Sequence, residues 1–106
     1  MAKYLVRATY TTDGVRAVLK EGGSSRRDAV QGLVEGLGGS LEAFYFAFGD
    51  DDVYAIMDLP DSASAAAASL AFSATGATRN RVTVLLTPDE VDDATKKTIS
   101  FRAPGA

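Results

Sequence analysis

Five side chains are the candidates for binding or acid–base chemistry in this sequence: Arg7, Tyr45, Tyr54, Asp58 and Arg81. Guanidinium groups bind carboxylates and phosphates through paired hydrogen bonds. A tyrosine ring can stack on an aromatic ligand, and its hydroxyl can hydrogen bond to a polar one. An aspartate beside a tyrosine can act as a general acid or base. The five residues therefore indicate either a site for a small anionic or aromatic ligand or a cofactor-free reaction that uses Asp58 and one tyrosine.

Histidine and cysteine are both absent from the 106 residues. Their absence excludes disulfides, zinc fingers, iron–sulfur clusters, Ser-His-Asp triads and thiol nucleophiles. The consecutive acids Asp50, Asp51 and Asp52 lack the spacing and the distal glutamate of a calcium loop. We therefore expect no metal site and no cofactor, and we expect these three acids to form a solvated turn.

The composition is that of a globular domain, with 46% hydrophobic and 24% charged residues. Eleven basic against 14 acidic residues give a net charge of −3, without the dense basic patch that nucleic acid binding requires. No apolar run reaches the roughly 20 residues of a membrane span, and the N-terminus has no apolar block of signal-peptide length. We therefore expect a cytoplasmic protein that binds neither nucleic acid nor membrane.

Alternating and helically spaced apolar residues predict the order strand–helix–strand–strand–helix–strand, followed by a short helix. The predicted strands are 3–10, 40–48, 53–59 and 79–86. The predicted helices cover 12–20, 24–37 (the two together forming the first helical layer), 61–75 and 88–97. An apolar stripe predicts which side of the third helix is buried: Ala63, Ala66, Ala67, Leu70 and Ala74.

Capping residues and glycines refine the helix ends. Residues 12–13 are the predicted caps of the first helix and residues 24–25 those of the second. Gly38 is predicted to end the second helix in a left-handed conformation. Gly32 and Gly36, inside that helix, leave two alternatives: a loose helix, or a close backbone approach to a neighbouring element.

This order of elements is that of the split-βαβ, ferredoxin-like plan, βαββαβ, which is an α+β fold. A four-stranded antiparallel sheet then carries its helices on one face and leaves the other face bare. Residues 1–106 form one domain, with a core over about 3–87 and an extra C-terminal helix and tail over 88–106.

The bare face of the predicted sheet is unusually apolar. A hairpin loop over 49–52 pairs Phe48 with Val53, and alternation then assigns the residues of each face. The bare face presents these apolar or aromatic residues: Leu5, Tyr45, Tyr54, Ile56 and Leu85. A solvated sheet face is mostly polar, and contiguous exposed apolar area usually marks an interaction site. We therefore expect these residues to form the interface of a homodimer or higher homo-oligomer, sheet against sheet.

Arg7 and Arg81 lie side by side on the same face if the fourth strand neighbours the first. Two adjacent guanidinium groups require negative charge close by. One alternative is that Asp58, or an acid from the second copy, neutralises them. The other is that an anion binds to them in a pocket between the two sheets.

Several short motifs resemble those of the GYD domain family over roughly residues 3–90. They are Gly38-Gly39 at a helix end, Tyr45, Gly49 with Asp52 at the hairpin, Pro60-Asp61 and Gly76. The resemblance implies a small, mostly bacterial type of protein with a ferredoxin-like fold of the dimeric α/β-barrel type, and it implies no catalytic residue. The family is named for a Gly-x-Tyr-Asp turn, and Asp51 stands here at the tyrosine position. A site to which that tyrosine contributes is therefore altered in this chain.

Two functions remain open from the sequence. The first is a homo-oligomeric module that binds a small anionic or aromatic molecule between its sheets. The alternative is a cofactor-free enzyme, similar to the monooxygenases or isomerases that this barrel type can host, with Asp58 and Tyr45 or Tyr54 as its acid–base groups.

Overall fold

Strands and helices alternate along residues 2–105, which are the residues that the computed structural model describes. The strands are β1 Ala2–Tyr10, β2 Ser40–Phe46, β3 Val53–Leu59 and β4 Thr78–Leu85. The helices are α1 Thr12–Glu21, α2 Gly23–Gly36, α3 Ser62–Ala74 and α4 Pro88–Thr95. The four strands form one antiparallel sheet in the order β2-β3-β1-β4. The predicted α+β fold with a ferredoxin-like strand order is confirmed.

The core lies between the helices and one face of the sheet, and the two-residue period of β1 and β3 selects it. Alternate residues of the two central strands are buried: Tyr4, Val6, Ala8, Val53, Ala55, Met57 and Leu59. Val34 of α2, which is fully buried, packs against this set, and so does Ala65 of α3. The intervening strand residues face the opposite side, which no helix covers in the predicted plan.

The hairpin register differs from the predicted one by two residues. Phe46, not Phe48, pairs with Val53, because β2 ends at Phe46 and the loop covers 47–52. The loop is longer because it hydrogen bonds to its own base and to β1: the Ala47 amide donates to the Asp52 carbonyl at 2.9 Å, and the Asp52 amide donates to the Ala8 carbonyl at 2.8 Å. A shift of two residues exchanges no faces, so the predicted faces hold for residues 43–46 and for β3. Phe48, predicted to lie under the helices, instead lies in the loop and is 66% exposed, and a bulge between Leu41 and Ala43 shifts the register again.

The buried side of α3 is not the predicted one. Ala65 and Ala68 are buried, whereas Leu70 of the predicted stripe is 71% exposed. Alanine occurs on every side of this helix, so apolar spacing does not define its inner face. The helix begins after Asp61, whose carboxylate accepts a hydrogen bond from the Ser64 amide at 2.7 Å.

Helix starts are partly as predicted. Thr87 and Glu90 form the reciprocal capping box at the start of α4. The cap of α1 is Thr11, one residue before the predicted position. The predicted serine cap of α2 is wrong: Gly22, with φ of 84°, joins α1 directly to α2 and leaves no side-chain cap. The direct junction arises because the Gly22 amide still bonds to the Val18 carbonyl of α1 at 2.8 Å.

The end of α2 confirms the prediction for Gly38, which has a φ of 82°. Its amide bonds to the Glu35 carbonyl at 3.0 Å, and the Gly39 amide bonds to the Val34 carbonyl at 3.1 Å, which is the Schellman pattern. A β-carbon on Gly39 would collide with the Asp58 carbonyl and Leu59 of β3. Close approach therefore occurs at the helix end.

The two glycines inside α2 make no such approach. A β-carbon added to Gly32 or Gly36 would meet nothing within 4 Å. The close-packing alternative is therefore wrong for both, and each glycine only loosens the helix.

We predict opposite effects for alanine at Gly32 and at Gly39. Gly32→Ala raises the free energy of unfolding by about 1 kcal/mol, because the helix gains propensity without a clash. Gly39→Ala lowers it by about 2 kcal/mol, because the new methyl group overpacks the contact with β3. Urea denaturation of the two variants beside the parent protein measures both changes. Equal effects of the same sign would contradict this packing of α2.

Candidate functional site

The helix-free side of the sheet, called the open face below, carries one continuous row of large polar side chains. Tyr45 pairs with Tyr54, Tyr54 with Arg7, and Arg7 with Arg81. These four residues, called the Tyr–Arg row, therefore cross all four strands. Neighbouring strands are about 4.8 Å apart, so the row spans about 14 Å. Two aromatic rings stand at one end of it and two guanidinium groups at the other.

The next row of the open face is apolar. Ala43 pairs with Ile56, Ile56 with Leu5, and Leu5 with Thr83. Leu85 follows one row further on, beside Lys3. The tyrosines above this belt are accessible, with Tyr45 70% and Tyr54 36% exposed. The residues that the sequence predicts for an interface thus form one surface, to which every strand contributes.

Asp58 lies at the far end of the open face from the Tyr–Arg row. It is four residues from Tyr54 on the same strand, which is about 13 Å. Lys3 lies 3.2 Å from a carboxylate oxygen of Asp58 and 2.6 Å from one of Glu42. These hydrogen bonds, which the Lys3 ammonium donates to Glu42 and, with a smaller effect, to Asp58, raise its pKa. The structure therefore joins Asp58 to Lys3 and separates it from both tyrosines and both arginines.

The acid that meets the arginines is Asp51, from the loop over 47–52. Nη2 of Arg81 lies 2.7 Å from both carboxylate oxygens of Asp51, and the Thr9 hydroxyl donates to one of them at 3.2 Å. Asp51 is only 2% exposed, so the predicted solvation of this turn is wrong for Asp51, whereas Asp50 is exposed. The neighbouring Asp52 holds the turn down, because its carboxylate accepts a hydrogen bond from the Tyr10 amide at 2.8 Å.

Asp51 is ionised because of these contacts. The Arg81 hydrogen bonds lower the pKa of the Asp51 carboxyl below its usual range, and the Thr9 hydroxyl and the positive charge of Arg7 act in the same direction. Burial opposes them, because it disfavours the charged form. The expected neutralisation of the arginine pair by Asp58 is thus corrected to neutralisation of Arg81 by Asp51, since the folded loop brings its acid to the arginine end of the open face.

The guanidinium of Arg7 is not fully hydrogen bonded. Its Nε is buried, and within residues 2–105 no hydrogen-bond acceptor reaches it. A buried donor without a partner costs free energy, so an incoming acceptor at this position is favoured. Arg79 adds another positive charge at this end, since it pairs with Thr9 on the open face. Two guanidinium groups, those of Arg81 and Arg7, act on the buried carboxylate of Asp51.

Asp51, Thr9 and Arg79 are absent from the candidates that the sequence indicates. Arg79 could have been predicted from the sequence, because it lies two residues before Arg81 and alternation puts both on one face. Thr9 follows Arg7 by the same spacing. Asp51 had no such signal, since its burial depends on how the loop folds over the end of β1.

Residues 2–105 show neither a metal site nor a membrane-spanning helix. No group of three or more acids within residues 2–105 is arranged to hold a metal ion. Over the same residues, every helix is too short or too polar to cross a membrane.

Comparison with known proteins adds a family. The family model described as GYD domain matches residues 4–95. No curated protein sequence and no solved structure matches the chain.

We predict that Asp51→Asn destabilises the protein in a pH-dependent way. At pH 7 the melting temperature falls by roughly 5 °C, because Arg81 loses its ionised partner. A carboxyl whose pKa is lowered in the folded state stabilises the fold above its unfolded pKa of about 3.9 and loses that effect as the pH falls further. The difference between variant and parent therefore shrinks progressively as the pH falls below about 3.9 and through the lowered pKa of the folded state.

The matched control is Asp50→Asn, in the exposed neighbour of the same loop. It leaves the melting temperature unchanged across the pH range. Scanning fluorimetry from pH 3 to pH 8 measures both variants, and an Asp51→Asn deficit that persists undiminished at pH 3 would disprove the ionic contribution.

Proposed function

The chain belongs to the GYD domain family, and we propose that it is a homodimeric module that binds a small organic anion between the open faces of two copies. The observation that carries this proposal is the Tyr–Arg row, with its buried and unpartnered Arg7 Nε. The row combines a surface for a planar group with a guanidinium pair for a negative charge. The apolar belt beside it provides the contact between the copies.

A second copy of the chain is the partner that fits the open face best. Exposed apolar surface costs about 25 cal/mol per Å², and the total stability of a domain is only about 5–15 kcal/mol. A two-fold dimer covers the patch with the same patch, so that every apolar residue meets apolar surface. Side chains normally fill the roughly 10 Å between packed sheets, so a ligand site requires the arginine and tyrosine side chains of the two copies not to interdigitate fully.

The ligand chemistry follows from the charges of the row. Asp51 already neutralises Arg81 through Nη2 at 2.7 Å, so the guanidinium of this row without an ion-pair partner among residues 2–105 is that of Arg7. A carboxylate or a phosphate can accept from Arg7. An aromatic ring on the same ligand can stack on Tyr54, which is the direct neighbour of Arg7 across the strands.

The enzymatic alternative is not favoured by any observation. It requires an aspartate and a tyrosine within hydrogen-bond reach of one substrate. Asp58 and Tyr54 are separated by about 13 Å along β3, and Asp58 is bonded to Lys3. The proposal therefore assigns binding, and no reaction, to the open face.

We predict that the protein sediments as a dimer of twice its 11.1 kDa chain mass at micromolar concentration. Ile56→Lys converts it to a folded monomer, because a charge enters the centre of the apolar belt. Leu19→Lys is the control, since Leu19 is an exposed apolar residue of α1, at 81%, and lies away from the open face. Analytical ultracentrifugation distinguishes the two variants. A monomeric, well-folded parent protein would overturn the proposed assembly.

We further predict that inorganic phosphate, which has no apolar ring, raises the melting temperature through Arg7. A ligand at about 100 times its dissociation constant stabilises the folded state by roughly 2.7 kcal/mol, which is a shift of several degrees. Arg7→Ala abolishes the shift, whereas Arg16→Ala, in an exposed arginine of α1, retains it. Scanning fluorimetry at constant ionic strength measures the effect, and an equal shift in the parent and Arg7→Ala would rule out this site.

A further inference from the structure

A second space lies on the other side of the sheet, between the helices and the central strands. It is a cavity of about 60 Å³. Its floor consists of buried apolar residues of β1 and β3: Val6, Ala8, Val53, Ala55 and Met57. Its walls are Val30 of α2, Phe44 of β2 and Phe72 near the end of α3. The sequence gives no indication of this cavity.

The cavity exists because the helices cover the edges of the sheet better than its centre. α2 packs mainly on β2, and α3 packs mainly on β4. Between them the two central strands present alanines, Ala8 and Ala55, at positions where a larger side chain would fill the gap. The small floor residues and the spread helices together leave the space.

Water is a poor occupant of this cavity. A water molecule needs about 10–15 Å³ of such space and between two and four polar partners. The volume suffices for several waters, but the floor side chains offer no polar atom. An apolar ring or a short branched chain matches this floor better, because it replaces unfilled space with van der Waals contacts.

The open side of the cavity is polar, and it has a cation. The more exposed lining residues are Tyr10, Arg26, Thr75, Thr78 and Asn80. The Asn80 amide already donates to Ser73 and Thr78. Arg26 forms an ion pair with Glu21, with Nη1 3.5 Å from a carboxylate oxygen, and a hydrogen bond to the Tyr10 hydroxyl. A guanidinium has five N–H donors, so it retains donors for a ligand.

Tyr10 completes this rim. Burial raises the pKa of its phenol, against the opposing effect of the nearby Arg26 charge. The phenol is therefore protonated at neutral pH and can donate a hydrogen bond beside the guanidinium.

We propose that this cavity is a binding site for a small monocarboxylate with one apolar ring. The ring lies on Ala8 and Ala55, and the carboxylate accepts hydrogen bonds from Arg26 and Tyr10 at the rim. This site lies on the face of the sheet opposite the Tyr–Arg row, so it is independent of the proposed dimer and of the anion at Arg7.

The experiment is a titration of the ¹⁵N-labelled full chain with benzoate, followed by amide chemical shifts and by isothermal calorimetry. Benzyl alcohol, which has the ring without the charge, is the second probe. We expect benzoate to shift the amides of Ala8, Ala55 and Phe72, and benzyl alcohol to bind at the same place about tenfold more weakly, a difference of about 1.4 kcal/mol.

Two kinds of variant test the two halves of the site. Ala55→Val fills the floor and abolishes binding of both probes at the cavity, and Ala8→Val serves the same purpose if the first variant does not fold. Arg26→Gln weakens benzoate about tenfold, a loss of about 1.4 kcal/mol, and leaves benzyl alcohol unchanged. Arg27→Gln is the control, because Arg27 is the next residue, lies outside this cavity and pairs with Asp28.

The outcomes separate this site from the one on the open face. Cavity shifts that persist in Arg7→Ala and vanish in Ala55→Val support the proposal. Shifts confined to the open face, lost in Arg7→Ala, overturn it while supporting the Tyr–Arg row as the anion site. Absence of any saturable shift with either probe overturns it as well.

Discussion

The contact between Asp51 and Arg81 is the constraint on which the candidate site depends. It joins the β2–β3 loop to β4, the strand at the opposite edge, and so crosses the end of β1. Because the carboxylate is buried, it must keep its partner, since an unpaired buried charge is far more costly than a paired one. The loop is therefore fixed over the sheet end. The charge of Arg81 is neutralised in this structural role, which leaves Arg7 as the guanidinium of the row without an ion-pair partner in the described part of the chain.

The two faces of the sheet are incomplete for opposite reasons. The open face exposes aromatic and apolar side chains whose contact with water is unfavourable. The helix side carries alanines that are too small to fill the space beneath α2 and α3. Both follow from the two-residue period of β1 and β3, which sends Arg7 to one side and Ala8 to the other. Small domains have small cores, so both the exposed apolar surface and the unfilled space lower the stability by an amount that matters. Each is physically best explained by something that occupies it, a second copy on one face and a small ligand on the other.

Local patterns in the sequence are sufficient for the elements and for the faces of the strands. Alternation in β1, the glycines after α2 and the capping box of α4 each depend on neighbours within a few residues, and each appears as predicted. The buried side of α3 does not, because its alanines leave the hydrophobic pattern without direction. The hairpin register and the burial of Asp51 also escape, since both are set by hydrogen bonds from the loop to β1, about forty residues earlier in the chain. The cavity is likewise a property of how far apart two helices settle, which no segment encodes alone.

Asp51 of the loop lowers the net positive charge at the arginine end of the open face. In the turn after which the GYD family is named, tyrosine occupies the position of Asp51, and a phenol carries no charge at neutral pH. The carboxylate here cancels one of the guanidinium charges at the arginine end of the open face. A site built from Arg7 and Arg81 without that carboxylate would suit a dianion such as a phosphate monoester. With Asp51 bonded to Arg81, the field at Arg7 is weaker by about one charge, and a second negative charge on the ligand would meet Asp51 itself. The geometry therefore favours a monoanion, bound through one guanidinium and stacked on Tyr54.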